Sequence, residues 1–256
     1  MKQTAAGTIG VAVTVRFLGC GDAFGSGGRF QTCIHLHADS GHVLLDCGTS
    51  ALIAMKRFGL DPSLIDTILI THLHGDHFGG LPFFLLDAQF VARRTRPLVV
   101  AGPPGLAERT RAALEVFFPG SSATTWRFAL DFVELLERRP TTLGSLVVTP
   151  FEVVHASGAP AYALRVVWEG KVIAYSGDTE WTATLCEAAQ GTDLFVCEAY
   201  TFDRKLRYHL DYQTLMAHRQ DLGCRRLVVT HLSDDMLGQL AALDIEAAED
   251  GQVITL

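Results

Sequence analysis

The sequence predicts a layered α/β domain, with sheet inside and helices outside. Three observations predict it. Short apolar runs of strand character alternate with stretches of helical spacing along the chain. Hydrophobic residues make up 48% of the 256 residues against 19% charged, enough for one large core or two small ones. The 24 glycines and 9 prolines suit a loop-rich α/β or β architecture better than a helical bundle.

Taken in order, residues 11–18 alternate as a strand and run into the Gly-rich loop GCGDAFGSGGR. Two further strands, 32–38 and 42–46, are joined by the turn Asp39-Ser40-Gly41. Residues 49–58 have helical spacing and stop at Gly59. The dense run 65–71 reads as a buried strand, and 81–94 as a helix with Pro82 in its first turn, where a missing N–H costs nothing. Strand 98–101 and helix 104–118 follow, then extended stretches at 126–136 and 143–154. A hairpin over 161–168 and 172–176 turns at Glu169-Gly170. Helix 181–190, strand 194–198, helix 212–222 and strand 227–230 complete the pattern. No linker, repeat or low-complexity tract divides the chain, so a single domain over 1–256 is expected.

Asp plus Glu is 28 and Lys plus Arg 21, a net charge of -7. A chain built to grip a long polyanion carries the opposite balance, so a nucleic-acid polymer is not the expected partner. The six cysteines form no C-x-x-C pair and no disulfide framework, and read as free thiols of a reducing compartment. Neither a signal peptide nor an apolar run of spanning length is visible, so a cytoplasmic protein without a membrane partner is expected.

The informative segment is THLHGDHFGG, residues 71–80, directly after the buried strand. In extended chain, residues i and i+2 point the same way, so His72 and His74 project together off the strand end. Asp76 and His77 follow the Gly75 turn and face the same space. Imidazoles and a carboxylate are ligands for zinc and neighbouring first-row metals. Without a cation, such a cluster would leave buried polar groups unsatisfied. A two-metal centre needs further ligands, and His155, Asp178 and His231 each close an apolar strand run: FEVVH, VIAYSGD and LVVTH.

With these residues in place, the sequence resembles the metallo-β-lactamase superfamily over nearly its whole length. The family motif H-x-H-x-D-H is matched by His72, His74, Asp76 and His77, and the downstream positions by His155, Asp178 and His231. The resemblance implies a four-layer αββα sandwich. It implies two divalent ions, Zn²⁺ by preference with Mn²⁺, Fe²⁺ or Ni²⁺ open. One ion would be held by His72, His74 and His155, the other by Asp76, His77 and His231, with Asp178 bridging and a water or hydroxide between them. Asp46 in LLDCG matches an early family aspartate and is expected to orient a ligand histidine rather than bind metal.

FLGCGDAFGSGGR, THLHGDHFGGLP, LFVCEAYTF and RYHLDYQTL look like the ribonuclease Z-like branch, which also includes small-substrate phosphodiesterases. There, a glutamate at the position of Glu198 supports a histidine at that of His209 in delivering a proton. Asp76, His209 and Glu198 are thus the expected catalytic residues. Two features depart from ribonuclease Z. His155 and Asp178 are only 23 positions apart, leaving no room for the long transfer-RNA arm, and Cys197 stands where a histidine is common. The expected activity is a metal-dependent phosphodiesterase on a small anionic phosphodiester or cyclic nucleotide. Alternatives are hydrolysis of a carboxylic ester, lactone, thioester or aryl sulfate, and a non-catalytic metal-containing accessory role. A homodimer is implied by the resemblance alone.

Other features read as structural. His35-x-His37 lies within a strand and reads as a sheet face, while His42 and His218 carry no signal. Arg204, Lys205 and Arg207 read as a solvated basic loop or, alternatively, as a phosphate-facing loop that orients an anionic substrate, and Arg93, Arg94 and Arg96 as cations at a helix C-terminus. Phe83 and Phe84 are expected to pack their helix on the core or to reach a dimer contact. Asp22 is placed near the substrate, and GDAFGSGG lacks the G-K-[ST] ending of a phosphate-binding loop.

Overall fold

The computed structural model describes residues 12–256. The first sheet begins with β1 (Thr14–Gly19), β2 (Cys33–Ala38) and β3 (Gly41–Leu45), an antiparallel meander. Helix α1 (Ala51–Arg57) leads to β4 (Thr67–Leu69), which runs parallel to β3. Two short helices follow, α2 (Gly75–Phe78) and α3 (Leu81–Leu86), then β5 (Leu98–Gly102), α4 (Leu106–Phe117) and β6 (Leu130–Glu134). The second sheet holds β7 (Thr141–Leu143), β8 (Leu146–Val153), β9 (Ala161–Trp168) and β10 (Lys171–Tyr175). After α5 (Thr184–Ala189) come β11 (Leu194–Glu198), α6 (Tyr212–Ala217), β12 (Leu227–Thr230), α7 (Asp234–Leu237), β13 (Glu246–Ala247) and β14 (Val253–Thr255). The strand orders are β14-β1-β2-β3-β4-β5-β6 and β13-β12-β11-β10-β9-β8-β7.

Alternation along the strands builds the layers. Val15, Phe17, Ile34, Leu36, Val43 and Leu45 of the first sheet pack against Val148, Leu164, Val166, Ile173, Tyr175 and Val196 of the second. Side chains pointing the other way meet helices. Leu44, Ile68 and Val100 pack with Ala51, Met55, Phe84 and Leu114, while Ala174, Phe195 and Val229 pack with Leu185 and Leu215. The result is the expected αββα sandwich.

Several elements differ from their sequence reading. Val11 lies outside the described residues. The strand expected over 65–71 is confined to Thr67–Leu69, because Ile70 and Thr71 already turn towards Asp46 and Ala101. The helix expected over 81–94 changes at Asp87 to a wider π-turn, Asp87–Val91, where Lys56 pairs with the Asp87 carboxylate at 2.6 Å. The stretch 143–154 is a hairpin arm, because Gly144 takes φ +59° between β7 and β8. Helix 212–222 stops at Ala217. The elements α2, α7, β13 and β14 were too short to carry a periodic signal.

The cysteines are free, and Arg94 is a buried pin that donates to the carbonyls of Ser63, Arg96 and Pro97 rather than a dipole partner. Lys205 pairs with Asp211 at 2.7 Å and Arg207 lies 4.5 Å over the Tyr208 ring. Among the described residues, no helix is long and apolar enough to cross a membrane.

Candidate metal centre

The site forms where strands of both sheets end. Gly80 lets the metal motif pack tightly there: a Cβ on it would lie 2.1 Å from the Gly48 carbonyl oxygen. His72 and His74 do project into one space, their rings 5.0 Å apart. Asp76 and His77 reach it differently from the sequence reading, on the single turn of α2, with His74 at its N-cap rather than after a Gly75 turn.

Two ligand sets converge. His72, His74 and His155 form one, and Asp76, His77, Asp178 and His231 the other. His155 Nε2 lies 3.0 Å from His74 Nδ1. His77 Nε2 lies 3.2 Å from Asp76 Oδ2 and 3.2 Å from Asp178 Oδ1. Asp178 Oδ2 stands 3.8 Å from His72 Nε2, 3.9 Å from His155 Nε2 and 3.4 Å from His231 Nε2, so its carboxylate touches both sets. Gly177, at φ +58°, makes the turn that presents it.

The imidazoles are aimed from behind. His77 Nδ1 donates to Asp46 Oδ2 at 2.7 Å, and Asp46 Oδ1 accepts from the Thr71 N–H at 2.8 Å. His155 Nδ1 donates to the Tyr208 carbonyl at 2.8 Å, and the Thr71 hydroxyl lies 3.0 Å from His72 Nδ1. These contacts leave the Nε2 atoms of His72, His77 and His155 facing the centre. Asp46 sits behind the ligands and not among them, in the left-handed region at φ +59°. Asp46→Asn, which weakens its grip on the His77 ring, is expected to lower metal affinity about 10–100-fold with the fold retained, measured by competition with a chelator.

The donor set fits divalent ions. His72 Nε2, His77 Nε2 and Asp178 Oδ1 are buried without a hydrogen-bond partner, and all three point into the centre. Such orphans are costly unless a cation satisfies them. Burial and the neighbouring His77 hold His72 well below the usual imidazole range, so it presents a neutral lone pair. Burial opposes the charge on Asp178, yet His231 and His77 hold its carboxyl well below the usual range.

Glu198 and His209 meet beside these ligands, with His209 Nδ1 bonded to Glu198 Oε1. The other Glu198 oxygen accepts from the N–H groups of Thr179 at 2.8 Å and Leu210 at 3.1 Å, so the carboxylate is fully used. Burial disfavours the charged imidazole of His209, but the Glu198 bond and charge, with Asp178 and Asp76, push it up to about 9. A cavity of about 210 Å³ opens here, lined by His74, Asp76, His209 and His231 together with Phe24 and Tyr200. The sequence reading missed those two aromatics. Tyr200, two residues beyond Glu198 at the same strand end, was within reach of the strand-end logic, whereas Phe24 lies in a loop without periodicity. Asp22 serves that loop, accepting from the N–H groups of Phe24 at 3.2 Å and Ser26 at 2.9 Å.

The family described as "Anti-Pycsar protein Apyc1" matches residues 13–251. The chain belongs to that family. Relatives of the Apyc1 family chain include Ribonuclease Z of Lachnoclostridium phytofermentans, 26% identical over 261 residues, 82% of this chain and 84% of that protein. The uncharacterized protein ML1173 of Mycobacterium leprae is 30% identical over 257 residues, 95% of this chain and 87% of that protein. Among solved structures, human tRNase Z, short form (ELAC1), is similar with TM-score 0.76 and 26% identity, covering 94% of this chain and 98% of that one. A diphosphatase from the PhnP family shares the fold at TM-score 0.73 and 20% identity, over 94% of this chain and 97% of its own. The Apyc1-family chain thus stands in the ribonuclease Z-like branch of the metallo-β-lactamase superfamily and is a metal-dependent hydrolase.

Proposed function

We propose that the chain is a dinuclear metal-dependent phosphodiesterase acting on a small phosphodiester or cyclic nucleotide. The observation that carries this reading is the Glu198–His209 pair opening onto the same cavity as both ligand sets. An alkoxide is a poor leaving group, and a protonated imidazole at the cavity wall serves its departure. The ribonuclease name of relatives at 26% identity supports phosphorus as the atom attacked. Two features support a small substrate: the cavity of about 210 Å³, and the compact β9–β10 hairpin that fills the interval between His155 and Asp178.

Bound at the two sets, divalent ions supply a water of lowered pKa and neutralise charge on phosphoryl oxygens. The chain's own residues do the rest. Asp46 and the Tyr208 carbonyl fix ligand orientation, Glu198 holds His209 in its protonated form, and His209 Nε2 gives the proton to the departing oxygen. Zn²⁺ suits the His/Asp set best.

The mouth adds selectivity. Phe24 is 86% exposed, the most exposed large apolar side chain among the described residues, yet it lines this cavity with Tyr200, whose ring lies 4.7 Å from that of His209. A planar group on the substrate gains contact there. Phe24→Ala is expected to raise KM for a cyclic nucleotide about 5–10-fold, the scale of one lost aromatic stack, and to leave kcat nearly unchanged. Phe24→Tyr should restore KM.

A panel of bis-p-nitrophenyl phosphate, cyclic nucleotides, lactones and aryl sulfates, each with Zn²⁺ or Mn²⁺, tests the reading. Turnover of the phosphodiesters above the others is expected. Preference for a lactone or sulfate, or no turnover of any, would overturn it. A homodimer is part of the proposal, and an exposed apolar surface supports it: Phe84 is buried, but Phe83 is half-exposed against Phe117 and Phe118, beside exposed Phe90 and Val91.

A further inference from the structure

Tyr208 supplies the carbonyl that aims His155, and it stands next to His209. Its backbone is unusual. At φ +72° it lies deepest in the left-handed region of the non-glycine described residues. A bulky residue persists there only where its surroundings over-determine it. Tyr208 is held from several sides. The His209 N–H donates to the Leu206 carbonyl at 3.3 Å and closes the turn. The Arg207 guanidinium lies 4.5 Å over the Tyr208 ring. The Tyr208 N–H donates to Glu180 Oε1 at 2.8 Å.

Glu180 belongs neither to the ligand sets nor to the proton-delivering pair. It is half-buried, two residues after Asp178. Its own N–H donates to the Val154 carbonyl at 3.1 Å, and the Val154 N–H donates to Thr179 Oγ1 at 3.1 Å. The segment after Asp178 is thus laced to the strand end that carries His155. The bonds form a circuit. It runs from the His155 ring to the Tyr208 carbonyl, from the Tyr208 N–H to the Glu180 side chain, and from the Glu180 backbone to Val154, beside His155.

We propose that Glu180 is a positioning residue that locks Tyr208 and so sets His155 and His209 in register with each other. Both peptide groups flanking the Tyr208 Cα are tied, one to Glu180 and the other to His155. Without the Glu180 oxygen, the Tyr208 N–H is free to turn to water and the left-handed backbone to relax. The carbonyl then swings away from His155 Nδ1, and the His155 ring loses the contact that aims its Nε2. His209, the next residue, moves with the same turn. Glu180 therefore acts on the ligand set of His72, His74 and His155, whereas Asp46 acts through His77 on the other set.

The test uses three variants of the full chain, with Zn²⁺ affinity measured by competition with a chelator and folding checked by circular dichroism. Glu180→Ala should weaken one of the two Zn²⁺ about 10-fold, the lower end of what a supporting group is worth, and leave the other unchanged. Glu180→Gln loses the charge but keeps an oxygen that accepts the Tyr208 N–H, and should bind as wild type does. Glu180→Asp keeps the charge but falls short of that N–H, and should bind as Glu180→Ala does. The last two variants separate the hydrogen bond from simple attraction of a cation to a nearby carboxylate. They also decide the matter should Glu180→Ala fail to fold. Unchanged affinity in Glu180→Asp, weakening in Glu180→Gln, or equal weakening of both ions would each overturn the proposal. A wild type that binds a single ion would sink the dinuclear reading, and the order of the three variants would still judge Glu180. A second arm rests on the phosphodiesterase reading. With Zn²⁺ saturating, Glu180→Asp should lower kcat on an alkyl diester about 10-fold, a small part of what a positioned acid is worth, and on a p-nitrophenyl ester much less. Equal losses in Glu180→Asp beside graded losses in His209→Ala would overturn the link to His209 while leaving that reading intact.

Discussion

Asp178→Ala is expected to strip the centre of metal and to lower turnover about 10³-fold or more on every substrate, good leaving group or poor. The magnitude follows from position. Groups that merely support a ligand cost 10–100-fold in affinity or activity, and Asp178 lies within 3.9 Å of four imidazoles drawn from both sets. Removing it separates the two halves and leaves His77 and His231 facing one another without the carboxylate between them. Metal content by mass spectrometry, with kcat on bis-p-nitrophenyl phosphate and on an alkyl diester, provides the check. Circular dichroism establishes that the variant is folded. Retention of both metal and rate would remove Asp178 from the bridging position.

His209→Ala should behave in the opposite way: metal retained, and loss of rate graded by leaving group. On an alkyl diester the loss is expected to be about 10²–10⁴-fold, the usual worth of a positioned acid. On a p-nitrophenyl ester, whose leaving group needs little protonation, it should be much smaller. Equal losses would exclude the acid role. The sign with pH follows from the raised pKa. His209 carries its proton below about 9 and loses it above, so the alkyl-ester rate should fall on the alkaline side. Cations in the centre move that limb to lower pH by repelling the imidazolium. The limb should be absent in His209→Asn.

How much of this was legible depends on distance along the chain. His72, His74, Asp76 and His77 stand within six residues, and strand geometry plus ligand chemistry sufficed to single them out. Their route was misread in one detail, since the single turn of α2 has no periodicity to reveal it. His155, Asp178 and His231 were legible as strand-end residues but gained roles only through the family resemblance, because a polar residue closing a strand more often bonds to its own turn. His35-x-His37 lies on a sheet face, as its alternation in the strand implies. That His42 stands across from His37 is not legible, because cross-strand register is set by the hairpin turn and by which face is buried.

The sequence by itself determined the layered α/β class, through alternation of apolar residues, and the chemical kind of the centre, through its imidazoles and carboxylates. Both are properties of short stretches. The tertiary structure decided what those groups do together. Burying Phe17, Ile34 and Leu36 against Val166, Ile173 and Val196 brings the end of β4 to the ends of β8, β10 and β12. Only that packing turns Asp178 towards two ligand sets, stands His209 on Glu198 and places Phe24 at the cavity mouth. Side-chain chemistry is local, whereas convergence is dictated by the removal of two sheet faces from water.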